Sequence, residues 1–477
     1  MPACAWRSSP WPRSPRAARS RRTRSSSGVR HWCRWTGRRV TPSSRCCRDQ
    51  SGGAGESRSR STPPGSGGQD LGCRPVDGVR TLLLTITGKD RPGVTSRVFD
   101  TLAGYGVEVL DVEQILLRGR LVLGVLVSAP RDWRALHADL SAVALELGMQ
   151  VELEHGAGDN THRADGRTHV TILGSPLRSR AVAAIAGRIA DTGANIDRIE
   201  RMARYPVTAI ELHVSGADPD RLRTLLAVEA ATQRVDVAVQ AANLLMRGVR
   251  LVVMDVDSTF IQGEVIEMLA AHAGCEAEVA AVTERAMAGE LDFEQSLHQR
   301  VALLAGLPES VFDDVYRDIV LAPGARTLVR TLRRLGYRFA LVSGGFTQIT
   351  DRIAADLGIH FTAANRLEVV DGRLTGRVSG PVVDRPGKAA ALRRFADEAG
   401  IAVAATIAIG DGANDLDMLA AAGLGIAFNA KPVVREAAGT AINVPYLDTI
   451  LYLLGISREE IEQADADAGV TTPSPPV

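Results

Sequence analysis

The sequence predicts two kinds of domain: a C-terminal α/β domain with a Rossmann-like parallel sheet, and two smaller α+β domains before it. Two observations support this prediction. Short apolar runs in the C-terminal half end in polar residues and alternate with helical segments, which is typical of a parallel sheet that binds ligands at the carboxyl ends of its strands. Before them, one strand–helix–strand–strand–helix–strand pattern occurs twice.

The first 77 residues differ in composition from the rest of the chain. They contain sixteen Arg, no Lys and four acidic residues, although the whole chain has a formal net charge of +1. A segment rich in Arg, Ser, Pro and Gly without hydrophobic periodicity is predicted to be disordered. We interpret residues 1–77 as a non-functional extension, translated from an upstream start. A basic interaction arm is the alternative.

The repeated pattern occupies residues 78–155 and 166–243. In the first copy a strand from Arg80 ends in the turn Asp90-Arg-Pro-Gly93, and an apolar-faced helix, two strands, a helix and a last strand follow. This order is that of the ferredoxin-like fold. The second copy has the same order, but its turn reads Ser175-Pro-Leu177.

Two carboxylates at the end of a buried strand are the most informative feature of the C-terminal half. The apolar run from Leu251 ends in Asp255-Val-Asp257. We expect these two carboxylates to have different roles rather than to be equivalent ligands of one metal ion. They can instead act as nucleophile and general acid/base. The alternative is a strand-end turn with solvated acids.

Three further polar clusters follow in the chain. Ser343-Gly344 ends an apolar strand and offers a hydroxyl and backbone N–H groups to an anion. Lys388 is one of only three lysines in a chain that otherwise uses Arg, which suggests that a compact ammonium is needed there. The most specific cluster is Asp411-Gly-Ala-Asn414-Asp415, which follows a strand and opens a helix.

In this order the four clusters resemble the motifs of the haloacid dehalogenase-like phosphatases, over residues 249 to about 450. An insert at about 261–322 is similar to the helical cap of the phosphoserine phosphatases in that family. The resemblance implies a catalytic domain over residues 247–465. Acidic and then Pro-rich residues predict a disordered tail over 466–477.

The resemblance also implies the roles of the motif residues. Asp255 is expected to attack phosphorus, and Asp257 to donate and then accept a proton. Mg²⁺ is expected to bind Asp255, Asp411 and the backbone carbonyl of Asp257, because it prefers oxygen ligands. Asp415 is expected to orient Lys388 or a metal-bound water. The groups expected to hold the phosphoryl oxygens are Ser343, Gly344, Lys388 and Asn414.

Substrate choice is expected to come from the cap. Glu264 suits the ammonium of phosphoserine, Arg300 suits a bidentate grip on its carboxylate, and Phe293 suits the pocket wall. Alternatively, Glu264 is a helix N-terminal acid favoured by the dipole, and Arg300 is a solvated partner of Glu294 or Ser296.

The first ferredoxin-like copy resembles ACT domains, the amino-acid-sensing modules, through Asp90-Arg-Pro92-Gly93. The resemblance implies that L-serine binds near Gly93, with Asp111 as a further regulatory residue, and that the protein is a homodimer formed through these domains. The second copy lacks the motif, which argues against a ligand at its own turn. Both copies are alternatively dimerisation modules without a ligand.

Composition limits the remaining functions. No run of 18 apolar residues is present, so no membrane partner is expected. Five of the six Cys lie in the first 77 residues, no disulfide framework is apparent, and a reducing cytoplasm is expected. No nucleic-acid partner is expected either. The alternatives to a phosphoserine phosphatase are a phosphotransferase, another small-metabolite phosphatase, or an amino-acid sensor with a vestigial phosphatase half.

Overall fold

The computed structural model describes residues 80–157, 167–242, 248 and 250–473. The disorder predicted for residues 1–77 and the last residues of the predicted tail, 474–477, lie outside this range. The predicted fold class is confirmed: two α+β domains precede an α/β domain with a mostly parallel sheet. No helix among the described residues is both long enough and apolar enough to cross a bilayer.

The first domain is a four-stranded antiparallel sheet with two helices on one face. Its elements are β1 (Arg80–Lys89), α1 (Val94–Ala103), β2 (Val109–Leu117), β3 (Arg120–Ser128), α2 (Trp133–Leu147) and β4 (Met149–Ala157). The strand order is β2-β3-β1-β4. Alternate residues of β1 and β3 are buried against α1 and α2 in a core of this domain's own residues. Asp132 caps α2 through the Ala135 N–H, and Gly148 ends the helix in the left-handed conformation.

The second domain repeats this topology. Its elements are β5 (Thr168–Gly174), α3 (Ser179–Asp191), β6 (Asn195–Ala203), β7 (Thr208–Ser215), α4 (Pro219–Gln233) and β8 (Asp236–Ala241). The strand order is β6-β7-β5-β8. Residues of β5 that face the helices, such as Val170 and Ile172, form its own core.

The catalytic domain has seven strands, of which six run parallel. They are β9 (Leu251–Met254), β10 (Arg338–Phe346), β11 (Phe361–Val370), β12 (Arg373–Ser379), β13 (Thr406–Gly410), β14 (Leu424–Phe428) and β15 (Thr440–Ile442). Their order is β12-β11-β10-β9-β13-β14-β15. The antiparallel β11–β12 hairpin closes through Asp371-Gly372, both in the left-handed conformation, as the sequence predicts. The helices that flank the sheet are α9 (Ala325–Arg334), α10 (Thr347–Leu357), α11 (Arg385–Glu398), α12 (Leu416–Ala421), α13 (Pro432–Ala437), α14 (Ile450–Leu453) and α15 (Arg458–Asp467).

A helical cap is inserted after β9. It consists of α5 (Val265–Ala273), α6 (Glu276–Met287), α7 (Phe293–Ala302) and α8 (Val311–Asp318). An antiparallel bridge pairs Ile261 with Leu321 at its base. The Gln262 N–H donates to Val320 O at 2.8 Å on the same two segments. The cap therefore connects to the core through two adjacent strands of chain, at the ends of the predicted insert.

The second domain shares a core with the catalytic domain. Leu173 and Ala209 lie on the sheet face opposite the helices of the second domain. They belong to one buried cluster with residues of the catalytic domain such as Leu451. Polar contacts border this cluster. Asp236 accepts hydrogen bonds from the N–H and Nδ2 of Asn443, each at 2.7 Å. Gln240 Nε2 donates to Leu453 O at 2.7 Å.

The ordered part of the C terminus extends further than predicted. Helix α15 continues to Asp467, past residue 466 where the tail was expected to start. Thr472 Oγ1 then donates to Asp465 at 2.8 Å, and Arg330 donates to the same carboxylate. Hydrogen bonds to this buried acid hold the segment, and its composition alone does not reveal them.

Candidate active site

Asp255 lies directly after β9, the strand at the centre of the parallel sheet. Its backbone N–H donates to Ile409 O of β13 at 2.9 Å, which continues the sheet by one residue. Asp255 is buried, with only 3% of the residue exposed to solvent. The motif that begins with Asp411 follows β13, so both acids lie at the carboxyl edge of neighbouring strands, where parallel sheets bind ligands.

A buried ammonium lies between two acids at this edge. Lys388 Nζ donates to Asp255 Oδ1 at 2.6 Å and to Asp415 Oδ1 at 2.7 Å. Lys388 lies in the first turn of α11, whose N-terminus is capped by Asp384 through the Gly387 N–H at 2.8 Å. Burial alone would lower the pKa of Lys388, but Asp255 and Asp415 outweigh it and raise this pKa. The side chain therefore stays protonated in the interior.

The same burial acts on the pKa of Asp255. Burial and the charge of Asp415 raise the pKa of Asp255 well above its usual value, while Lys388 opposes the shift. An Asp at this position becomes a good nucleophile only where positive charge keeps it ionised. The Asp255–Lys388–Asp415 contacts supply one such charge.

Two hydrogen bonds fix Asp257, which lies beyond the end of β9. Its Oδ1 accepts the Val265 N–H at 2.8 Å, and its Oδ2 accepts the Ser343 hydroxyl at 2.7 Å. The Gly345 N–H in turn donates to Ser343 Oγ at 2.7 Å. A Cβ at Gly345 would lie 2.7 Å from Asp257 Oδ2, so only glycine allows this approach.

Three carboxylates meet where a cation is expected. Asp255, Asp411 and Asp415 each place an oxygen within 4.8 Å of the others. Thr259 Oγ1 donates to Asp411 Oδ1 at 3.0 Å and orients it, and burial raises the pKa of Asp411. Lys388 compensates only part of this negative charge. An all-oxygen set with uncompensated charge suits Mg²⁺ or another hard cation.

The groups predicted to bind phosphate lie near the end of β10 and in the turn after Gly412. Ser343 is fully buried at the end of β10. Asn365 Nδ2 donates to Gly344 O at 2.8 Å, while its Oδ1 accepts the Val383 N–H at 2.8 Å. These bonds fix the irregular end of β10, which carries the Gly344 N–H. Asn414 lies in the turn after Gly412, and its Oδ1 fills the space of a Cβ there.

The cap brings three predicted substrate residues to this end of β10. Phe293, the first residue of α7, places its ring 3.1 Å from where a Gly344 Cβ would be. Glu264 immediately precedes α5, and burial and Asp257 raise its pKa, while Arg300 opposes this shift. Burial lowers the pKa of Arg300, and the charges of Glu264 and Asp257 act against it. The charges of Glu264, Arg300 and Asp257 therefore influence one another. Arg300 Nε donates to Ser296 O at 3.4 Å, one of the contacts that the alternative interpretation names.

The two predicted regulatory residues lie far apart in the first domain. Gly93 follows the end of β1 and begins α1 in the left-handed conformation. Asp111 pairs with Leu126, which pairs with Leu83 near the start of β1. The length of β1 between these positions is roughly 20 Å. Within one copy of the domain they therefore do not line one ligand site.

Sequence reasoning missed three positions that organise the site. Thr259 orients Asp411, the Val265 N–H holds Asp257, and Asn365 connects two loops. Thr259 is visible in the motif as a hydroxyl next to the acids. Asn365 lies inside the strand β11, between a predicted strand and a predicted hairpin, and no local pattern marks it.

Comparison with known proteins agrees with this architecture. Residues 252–420 match the haloacid dehalogenase-like hydrolase family. Residues 80–154 and 167–240 each match an ACT domain family. The fold and the site thus define a haloacid dehalogenase-like hydrolase that carries two ACT domains.

Similar full-length proteins narrow the class. The chain is 63% identical over 391 residues to "Phosphoserine phosphatase" from Streptomyces coelicolor, which covers 81% of this chain and 95% of that protein. It is 54% identical over 396 residues to "Phosphoserine phosphatase SerB2" from Mycobacterium tuberculosis, covering 82% of this chain and 97% of that protein. A crystal structure of a probable phosphoserine phosphatase from Vibrio cholerae matches with 34% identity and a TM-score of 0.50, over 62% of this chain and 88% of that chain. The chain belongs to the phosphoserine phosphatase family.

Proposed function

We propose that this protein hydrolyses O-phospho-L-serine to L-serine and inorganic phosphate, with Mg²⁺, in the cytoplasm, as the last step of serine biosynthesis. The observation that carries the proposal is the buried Lys388 ammonium between Asp255 and Asp415. It lies beneath a cap that contributes Glu264 and Arg300. The names of the relatives support the choice of substrate.

The first chemical step is assigned to Asp255. Its carboxylate attacks phosphorus in line with the leaving serine oxygen and forms an aspartyl phosphate. Lys388 holds the nucleophile through a 2.6 Å hydrogen bond, and its charge also attracts the phosphoryl oxygens. Ser343 and the Gly344 N–H supply further donors to these oxygens.

Proton transfer is assigned to Asp257. The hydrogen bonds from Val265 and Ser343 fix its carboxyl group beside the nucleophile. In protonated form it gives its proton to the leaving serine oxygen. As a carboxylate it then takes a proton from the water that hydrolyses the aspartyl phosphate.

The metal is assigned to the carboxylates at the edge of the sheet. Asp255 and Asp411, together with the backbone carbonyl of Asp257, would hold Mg²⁺. When bound, the ion supplies positive charge that neutralises the phosphate. The role assigned to Asp415 is to orient the ammonium of Lys388, from which it accepts a hydrogen bond at 2.7 Å.

Substrate recognition is assigned to the cap. The Glu264 carboxylate binds the ammonium of phosphoserine, and Arg300 binds its carboxylate with two N–H groups. Phe293 covers the Gly344 loop and excludes water from the reacting phosphoryl group. Because both charged residues are partly buried, their contacts with substrate are strong.

The proposal is tested by substitutions that separate chemistry from recognition. Asp255→Asn should reduce turnover by at least roughly 10⁴-fold without unfolding the protein. Arg300→Ala should reduce kcat/KM for phosphoserine by roughly 30-fold or more but leave activity on a phosphomonoester without a carboxylate nearly unchanged. Arg285→Ala, a substitution of an exposed Arg on the cap, is the matched control.

Two results would contradict the proposal. Near-wild-type turnover by Asp255→Asn would remove the nucleophile assignment, and equal losses on both substrates in Arg300→Ala would remove the recognition assignment.

Comparing released phosphate with phosphorylated acceptor alcohols distinguishes hydrolysis from phosphotransfer. Absence of hydrolysis of every phosphomonoester, together with serine binding, would favour the sensor interpretation.

For the ACT domains we propose dimerisation and L-serine binding. The edge strand β2 exposes apolar side chains on both of its faces, which supports pairing with a second copy; they are Val109, Val112, Ile115, Leu116 and Leu117. Serine should inhibit a chain that starts near Val79 more strongly than one that starts near Met246. Equal inhibition of both would be product inhibition at the active site and would remove the regulatory role.

A further inference from the structure

A second group of metal-ligating side chains lies on the second ACT domain, away from the active site. His169 of β5 and His213 of β7 are direct cross-strand partners, and Glu211 lies two residues before His213. Directly opposite residues of an antiparallel pair share a face, and residues two apart do as well. All three side chains therefore project from the same face, opposite the two helices of the domain.

The donor atoms of this group converge on one point. His169 Nδ1 lies 3.0 Å from Glu211 Oε1, and His213 Nε2 lies 3.2 Å from the same oxygen. The potential ligand atoms of all three residues lie within 4.8 Å of one another. Around a tetrahedral zinc ion with bonds of about 2.0–2.1 Å, neighbouring ligand atoms are roughly 3.3 Å apart. The observed separations from the carboxylate oxygen are close to that value.

Hydrogen bonding within the protein accounts for only part of this arrangement. His169 Nδ1 and Glu211 Oε1 form a hydrogen bond at 3.0 Å. His213 Nε2 is buried and forms no hydrogen bond, although it lies 3.2 Å from the same oxygen. The hydroxyl of Thr171, a fully buried residue paired with Glu211 across the strands, also has no partner. Buried polar groups are normally satisfied, so two such atoms beside one carboxylate indicate a missing ligand.

Two carboxylates face each other beside the histidines, and Arg198, the cross-strand partner of His213, pairs with one of them, Glu200, at 2.5 Å. Glu200 on β6 is the direct cross-strand partner of Glu211. Like charges that face each other on neighbouring strands destabilise a sheet. Glu200 Oε2 lies 3.9 Å from His213 Nε2, within reach as a further ligand. His169 and His213 remain 28% and 32% exposed, so an ion can enter from solvent.

We propose that His169, Glu211 and His213 bind a divalent transition-metal ion, with zinc as the expected occupant and Glu200 as an additional ligand. Two imidazoles and a carboxylate suit zinc and related transition metals, whereas Mg²⁺ prefers an all-oxygen set. The ion would connect β5 and β7 at one end of the sheet face. The other end of that face packs on the catalytic domain through Leu173 and Ala209. The role of the ion is therefore to stabilise the domain that supports the catalytic domain.

The test uses the full chain, freed of metal by a chelator and kept in saturating Mg²⁺. Zn²⁺ binding is measured by equilibrium dialysis with elemental analysis, and Co²⁺ is added separately as a spectroscopic probe. The wild-type protein should bind one Zn²⁺ per chain in addition to Mg²⁺, and its Co²⁺ form should show the visible absorption of four-coordinate nitrogen and oxygen ligands. His169→Gln/His213→Gln should weaken Zn²⁺ binding by at least about 100-fold, beyond the effect of losing an outer hydrogen-bond partner.

Three variants serve as controls. His137→Gln/His272→Gln removes two histidines elsewhere and should bind Zn²⁺ as the wild type does. Asp411→Asn alters the proposed Mg²⁺ site and should leave the Co²⁺ spectrum unchanged. Glu211→Gln keeps the shape of the side chain and should lose the spectrum. Phosphatase activity of the ligand variants in Mg²⁺ should stay within about twofold of wild type, which shows that they fold.

Two outcomes would overturn the proposal. One is that the wild-type chain binds no Zn²⁺ beyond the amount retained by His169→Gln/His213→Gln. The other is a Co²⁺ spectrum that disappears in Asp411→Asn but persists in Glu211→Gln, which would place the ion in the active site. If a ligand variant fails to fold, the Co²⁺ spectrum of the wild type and of Asp411→Asn decides the question.

Discussion

The two ACT domains share one backbone topology but use the outer faces of their sheets differently. When Gly88 of β1 is aligned with Gly174 of β5, Thr87 of the first domain corresponds to Leu173 of the second. Leu173 is buried in the core shared with the catalytic domain, whereas Thr87 is half-buried. The first domain keeps a core of its own residues. The difference teaches that a few side chains on one face decide whether a repeated domain becomes part of the catalytic unit.

In the same alignment, the two domains also differ at the other end of the sheet. Leu83 pairs with Leu126 in the first domain where His169 pairs with His213 in the second. Gly124 corresponds to Glu211. The first domain thus has a groove of mixed character, lined by Leu83 and Leu126 but also by Glu113 and Glu154, at the position where the second has the candidate metal ligands.

The strongest test of this comparison is deletion of each domain. A chain that starts at residue 167 lacks the first ACT domain and the segments on either side of it, and we expect the catalytic domain to unfold at nearly the same urea concentration as in the full chain. A chain that starts at residue 248 exposes the apolar surface that packs on Leu173 and Ala209. Its free energy of unfolding should fall by roughly 5 kcal/mol or more. Circular dichroism in urea measures both, and equal stabilities would contradict the supporting role of the second domain.

Leu173→Ala is the next largest test. Truncating this buried side chain should lower the free energy of unfolding by about 3 kcal/mol, because it leaves a cavity in the shared core. Thr87→Ala changes the corresponding position of the first domain and should change stability by less than about 0.5 kcal/mol. Similar effects of both substitutions, measured by urea denaturation, would show that the two faces are used alike.

A smaller loss is expected for the polar border of the shared core. Asp236→Ala removes the acceptor of the Asn443 N–H and Nδ2 groups, and leaving these donors unpaired should cost about 2 kcal/mol. Gln150 is the equivalent position in the first domain, because it pairs with Thr87 as Asp236 pairs with Leu173. Gln150→Ala is therefore the matched control and should be neutral. Thermal unfolding distinguishes them. An unchanged Tm for Asp236→Ala would mean that these hydrogen bonds contribute nothing net.

The smallest effect on stability, and the sharpest test of the comparison, is a transfer of ligands. Leu83→His/Gly124→Glu/Leu126→His places the three candidate ligands on the first domain. A Cβ at Gly124 meets only Glu113 O at 3.9 Å, so the backbone accepts a side chain there. We expect two Zn²⁺ per chain in place of one, by elemental analysis after dialysis. One Zn²⁺ in a folded triple variant would show that the second domain contributes more than these ligands.

Much of this organisation is visible in the sequence. The apolar runs before Asp255, Ser343 and Asp411 predict the three strands whose carboxyl ends form the active site. The rarity of lysine distinguishes Lys388, and the structure places it between two of the acids. Local periodicity also predicts helix α2 with the observed ends, because a cap residue and a glycine mark them.

Other features depend on contacts between distant segments and leave no local pattern. Asn365 lies in a strand and holds two loops by hydrogen bonds to Gly344 and Val383. The trio of His169, Glu211 and His213 is not apparent in the sequence because 42 residues separate the first two. Leu173 reads as an ordinary strand residue, and only tertiary packing shows that its face belongs to the catalytic core.

The hydrogen bond between Ser343 and Asp257 has a consequence for the order of events in catalysis. A hydroxyl carries a single proton, so Ser343 donates either to Asp257 or to an incoming phosphoryl oxygen. In the proposed mechanism, arrival of the phosphate therefore withdraws one hydrogen-bond donor from Asp257 and leaves it the Val265 N–H. The surroundings of Asp257 would then change before any bond to phosphorus does, and release of phosphate would return the hydroxyl to its first partner.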